Sequence, residues 1–125
     1  LKTAFLHGHS YTGNPLACAA GIASLDLLLD KNCTSQRIMI AKSHKNFCEK
    51  WCMHSKLKRC ESIGTILALE YRESMRDRLY RYFISRGILL RPLGNVLYVL
   101  PPYCIQESEL TFIYENIIQT LEGDI

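Results

Sequence analysis

The sequence predicts a small α+β fold: a largely antiparallel sheet of three or four short strands, covered by helices on one side and preceded by a long connecting helix. Three observations predict it. Thr65, Leu67, Leu69 and Tyr71 alternate with other residues after Gly64, the period of a half-buried strand. Two further apolar runs, Ile88 to Arg91 and Val96 to Leu100, are separated by Pro92-Leu93-Gly94-Asn95, a composition that suits a tight antiparallel hairpin. Around them, several segments repeat their apolar residues at the 3.6-residue period of a helix.

Taken in order, residues 3 to 7 read as a short strand or an extended entry to a polar loop. Within that loop Gly8 and Gly13 enclose His9, Ser10, Tyr11 and Thr12. Asn14 is placed to cap a helix whose first residue is Pro15, where the missing N–H of proline costs nothing. This helix is predicted to run to about Asp30. Apolar residues surround it almost completely, so it is expected to be buried or to lie between two masses of protein. Asp30 to Thr34 has the composition of a break, and Thr34 or Ser35 can cap a second helix with Ile40, His44, Phe47 and Trp51 in one stripe. After the strand at residues 65 to 71, Ser74 and Asp77 resemble a capping box that opens a helix through Ser85, with Gly87 as its stop. Pro101-Pro102 must end the last strand, because proline cannot donate to a ladder. A final helix is predicted from about Glu107 to Leu121, with Leu110, Ile113, Tyr114, Ile117, Ile118 and Leu121 on its inner face.

The 125 residues, 48% of them hydrophobic, suffice for one core. The start at Leu1, close to the richest motif, predicts the C-terminal piece of a longer protein. Fifteen basic and 12 acidic side chains are scattered along the chain, which does not call for nucleic acid. No apolar run approaches the roughly 20 residues that cross a bilayer. Six cysteines at irregular spacing predict reduced thiols in the cytoplasm rather than a disulfide framework. His44, Cys48 and Cys52 recur at four-residue intervals with Cys60 beyond, but they lack the paired spacing of structural zinc sites, and no metal is expected.

Two features point to a ligand. The loop at residues 7 to 14 meets the positive end of a helix, an arrangement that suits a phosphate or carboxylate but equally describes a capped strand-to-helix loop. Arg91 closes an apolar strand and precedes a rigid proline, so its guanidinium projects from a fixed backbone, as bidentate carboxylate binding requires. A strand-end arginine reaching into solvent has the same pattern. Tyr98 can reach the same edge, or can be a core aromatic.

The stretch His7-Gly-His-Ser-Tyr-Thr-Gly-Asn-Pro-Leu-Ala-Cys-Ala-Ala20 resembles the loop and helix of class III pyridoxal-phosphate aminotransferases. Arg91-Pro-Leu-Gly-Asn-Val-Leu-Tyr-Val-Leu-Pro-Pro-Tyr103 is similar to the branch of that family that works in biotin synthesis. Other branches usually carry an arginine shortly before Pro-Pro and a leucine after it. Here those places hold Tyr98 and Tyr103, and the arginine stands at Arg91.

The resemblance implies the small domain of a fold type I transferase that is α/β as a whole. Residues 1–30 would be the end of the large cofactor domain with the phosphate loop and connecting helix, and residues 31–125 the C-terminal small domain. It implies pyridoxal 5'-phosphate as cofactor, with Ser10 and the backbone at His9 reaching its phosphate in the partner subunit of a homodimer with shared active sites. Gly8, Arg91 and Tyr98 would bind substrate, with the Arg91 guanidinium holding the substrate's carboxylate. The implied reaction moves an amino group from S-adenosylmethionine to 8-amino-7-oxononanoate, giving 7,8-diaminononanoate. The lysine that holds the cofactor lies upstream of the loop in this family, so these 125 residues alone are expected to be inactive. Another class III aminotransferase with an amino-acid donor, or a non-catalytic binding module, stays open from the residues themselves.

Overall fold

The computed structural model describes residues 7–123, so residues 3–6 of the predicted strand entry lie outside the described residues. The chain divides between Thr34 and Ser35 into two compact units.

In the first unit, a turn at residues 10–13 leads into helix α1, Pro15–Leu29. Asn14 caps it as expected: its Oδ1 accepts the amide protons of Leu16 and Ala17 at 3.0 and 3.1 Å. Among the described residues nothing buries the apolar surround of α1. The helix buries no residue, and Leu16 is 80% exposed and Leu29 71% exposed. The break after it is also shorter than expected. Asp30 alone is extended, and its carboxylate accepts the Asn32 amide at 2.7 Å, so helix α2, Lys31–Trp51, begins at once and takes Thr34 into its first turn.

The second unit holds the core. Strands β1 (Leu57–Ile63), β2 (Ile66–Tyr71) and β3 (Val96–Val99) form one antiparallel sheet in that spatial order. Helices α3 (Arg76–Ser85) and α4 (Glu107–Glu122) complete the unit. Leu67, Leu69 and Tyr71 of β2, Leu97 and Val99 of β3, and Leu57 and Cys60 of β1 are buried in one cluster with Phe47, Leu79, Phe83, Ile117 and Leu121 from the helices. One face of the sheet is therefore the core, as the alternation in β2 requires.

Three expectations are corrected here. β1 was not foreseen, because it is an edge strand with only Leu57 and Cys60 buried, and its register slips between Leu57 and Arg59. On its outward side Lys58 meets Glu70 of β2 at 2.8 Å and, with help from Asn95 and Arg59, holds that carboxyl below the usual range. Residues 88–91 belong to no strand, and the Leu90 amide donates back to the Ile88 carbonyl at 3.2 Å. β3 pairs instead with β2, Leu67 opposite Val99 and Glu70 opposite Val96, while the turn closes on itself through a Leu93–Val96 bridge. Gly94, at φ +62°, takes the left-handed conformation this turn needs. Asn95 then ties the turn to the end of β2: its carbonyl accepts the Tyr71 amide and its side-chain amide donates to the Tyr71 carbonyl, both at 2.8 Å. Finally, Ser74 and Asp77 form no capping box; α3 starts after Met75, whose side chain fills the core rather than capping.

Buried Tyr71, Thr120 and His44 have hydrogen-bond partners. Thr120 donates to the Ile117 carbonyl at 2.7 Å and so accepts from the Tyr71 hydroxyl at 2.6 Å, while burial pushes the Tyr71 phenol up to about 12. His44 lies fully buried on α2. Its Nε2 lies 3.2 Å from the Thr65 carbonyl, which can only accept, so Nε2 carries the proton and Nδ1 accepts from the Tyr114 hydroxyl at 2.6 Å. Burial holds the imidazole below its ordinary value of 6.5. In the pH window between the lowered folded value and 6.5, the unfolded chain binds the proton that the folded chain refuses. Stability is therefore expected to fall as the pH drops through that window and to level off above it. Unfolding midpoints for the chain and for His44→Leu across the window check this: the variant, though less stable, should show the shallower pH slope.

Candidate functional site

The loop of the first unit is held by its own hydrogen bonds. The Thr12 amide donates to the His9 carbonyl at 2.9 Å, the His9 amide to Thr12 Oγ1 at 2.8 Å, and the Tyr11 amide to His9 Nδ1 at 3.1 Å. The Asn14 amide closes the turn on the Tyr11 carbonyl at 3.1 Å, with Gly13 at φ +75°. Gly8, His9 and Ser10 are all exposed. The His9 and Tyr11 amides are used inside the loop, whereas the hydroxyl and amide of exposed Ser10 are among its unengaged donors beside the helix start. That donor set fits a phosphate.

In the second unit the structure brings Arg91 and Tyr98 into one cleft of about 900 Å3. Leu90 and Pro92, both buried, anchor the backbone on either side of exposed Arg91. Tyr98 faces outward because its neighbours Leu97 and Val99 fill the core. The cleft is completed by Leu93 and Gly94 of the turn and by Arg76, Asp77 and Tyr80 of α3. Sequence reasoning missed Arg76 and Tyr80. Their four-residue spacing on one flank of the buried Leu79–Phe83 pair was the only signal, and nothing local tied that flank to Arg91. Among the described residues, no hydrogen bond or ion pair engages the side chains of Arg76, Arg91, Tyr80 or Tyr98. The cleft thus offers guanidinium and phenol donors to an incoming anion.

The cysteines form no such site. Cys48 and Cys60 approach to 3.5 Å as thiols, and burial with Cys48 as neighbour pushes Cys60 up to about 12. Among the described residues no group of three or more His, Cys, Asp or Glu could hold a metal, and no helix is long and apolar enough to cross a membrane.

The family model for aminotransferase class III matches residues 2–121, and the chain belongs to that family. It is 46% identical over 125 residues to the adenosylmethionine-8-amino-7-oxononanoate aminotransferase of Synechococcus elongatus, a match covering 94% of this chain and 29% of the relative. The Helicobacter pylori enzyme of the same name is 30% identical over 95% of this chain and 29% of its own length. The crystal structure of the Methanocaldococcus jannaschii enzyme of that name superposes with a TM-score of 0.82 at 24% identity, covering 96% of this chain and 30% of that one. A pyridoxamine-phosphate-bound aminotransferase from Vibrio fluvialis superposes at 0.83 with 19% identity, over 95% and 29%. The chain spans under a third of the length of these relatives.

Proposed function

We propose that this chain is the C-terminal part of an adenosylmethionine-8-amino-7-oxononanoate aminotransferase, the enzyme that aminates 8-amino-7-oxononanoate to 7,8-diaminononanoate in biotin synthesis. The observation that carries the reading is the pairing of Arg91 with Tyr98 in one cleft. An arginine fork and a phenol suit a substrate whose carboxylate lies far from its reacting ketone. The 46% identity to the Synechococcus enzyme supports the same branch.

In this reading residues 1–30 end the large cofactor domain and residues 31–125 are the small domain. Ser10 donates to the phosphate of pyridoxal 5'-phosphate, His9 shapes the loop around it, and the cofactor belongs to the partner subunit of a cytoplasmic homodimer. The backbone at Gly8 lines the substrate. The bound cofactor supplies an electron sink for moving an amino group between carbons. The chain's own residues bind and orient: Arg91 fixes the carboxylate, and Tyr98 bounds the pocket. None of the lysines in this chain sits in the context of the cofactor lysine, so the chain by itself has no catalysis.

The test is donor and acceptor profiling of the full-length enzyme. S-adenosylmethionine with 8-amino-7-oxononanoate should give diaminononanoate, detected by mass spectrometry. Amination of that keto acid by ordinary amino acids but not by S-adenosylmethionine overturns the donor; failure to aminate it with any donor overturns the reading.

A further inference from the structure

We propose that Arg76 is a second carboxylate-binding residue, which shares the substrate's acid group with Arg91 and sets the preference for acidic over uncharged ketones. The proposal deepens the functional reading above and rests on it.

Arg76 and Arg91 come from different parts of the chain, the first turn of α3 and the segment before the Leu93–Val96 bridge, yet both line the same cleft. Asp77 is the only acidic residue on that lining, so two guanidinium groups face one carboxylate and the count leaves a net positive charge. Among the described residues neither guanidinium is engaged by a hydrogen bond or an ion pair. Three other surface arginines of this unit are engaged: Arg59 lies beside Glu61 and Glu70, Arg72 donates to the Ser55 carbonyl at 2.9 Å, and Arg86 lies over the Tyr82 ring.

Like charges gathered in one concavity repel each other, and an anion relieves that repulsion while meeting a focused positive field. The rest of the lining is consistent with a single acid group. Tyr80 and Tyr98 add phenol donors, and Pro92 and Leu93 supply apolar surface for an aliphatic chain leading to it. A cleft of about 900 Å3 is within the range of small-molecule sites. A carboxylate accepts about four hydrogen bonds, more than one guanidinium fork delivers, so a second arginine and a phenol complete its shell. Arg76 sits one helical turn from Tyr80 on the flank of α3 whose buried partners are Leu79 and Phe83, so its backbone is fixed by the core.

The experiment uses the full-length enzyme and compares Arg76→Gln, Arg76→Lys and Arg91→Ala with the unmodified protein. Each is assayed with 8-amino-7-oxononanoate and with an uncharged aliphatic ketone of matching length. The expected result is that Arg76→Gln raises KM for the keto acid roughly tenfold, as loss of one charged hydrogen-bond partner does, with kcat little changed and the uncharged ketone unaffected. Arg76→Lys should recover part of the loss, because it keeps the charge but not the fork. If Arg91→Ala discriminates against the keto acid and Arg76→Gln does not, the role of Arg76 is overturned while the reading of the cleft stands. If neither discriminates, the reading itself falls. Equal loss on both ketones with a lowered unfolding midpoint makes Arg76 structural and overturns the proposal.

Discussion

Replacing Arg91 with alanine should lower kcat/KM for 8-amino-7-oxononanoate by roughly 10- to 100-fold, with retention of pyridoxal phosphate on dialysis unchanged. The magnitude follows from the chemistry of the contact. A hydrogen bond to a charged group contributes about 1.5–3 kcal/mol, and a factor of ten corresponds to about 1.4 kcal/mol. Arg91 is exposed and, among the described residues, unpaired, so its removal breaks no internal contact and leaves the fold as it was. The loss should appear mainly in KM, because the carboxylate lies away from the reacting ketone and is held alike in the ground and transition states. An equal loss of keto acid use and of cofactor retention would remove Arg91 from the substrate site.

A second large effect is expected at Phe83. Its ring is fully buried in the core with Leu79 and lies edge-on to Tyr82 at 5.4 Å between centroids. Its carbonyl also accepts the Ile88 and Arg86 amides at 2.9 and 3.0 Å, where the chain leaves α3. Phe83→Ala removes a large aromatic from a closed site and should cost about 3–5 kcal/mol, which is a large share of the roughly 5–15 kcal/mol that stabilises a domain. Urea unfolding of the enzyme, followed by circular dichroism, measures it; Phe83→Leu should retain most of the lost stability, since leucine refills part of the volume. Because α3 carries one wall of the Arg91 cleft, keto acid binding should weaken with Phe83→Ala even though Phe83 does not line the cleft. A midpoint within experimental error of the parent protein would contradict the packing described.

These two positions differ in how legible they were. The Arg91 motif is local: an apolar run, an arginine and a proline carry their meaning within a few residues. The stripe of α2 likewise places Ile40, His44 and Phe47 in the core, whereas the full burial of Phe83 shows only once α3 packs on the sheet. The failures were equally specific. β1 went unseen because an edge strand needs few apolar residues, and Lys58, Arg59 and Glu61 mask its alternation. Ile88 to Arg91 has a strand's composition, yet β3 had already taken β2 as its partner. The surround of α1 predicts burial or a place between two masses of protein; burial is a property of what lies against a surface, and among the described residues α1 buries none.

What the sequence determined by itself was each element with a repeating contact to one core: α2, β2, α4, the Asn14 cap and the Arg-Pro turn, as well as the family to which its motifs belong. Those features depend on spacing along the chain, and spacing is local. Tertiary structure alone decided which strand pairs with which, and that Arg76 and Tyr80 line the cleft of Arg91 and Tyr98. Their meeting depends on the core fixing both α3 and the turn before β3. Exposed polar residues carry no periodic mark of the partner they will face once that core has formed.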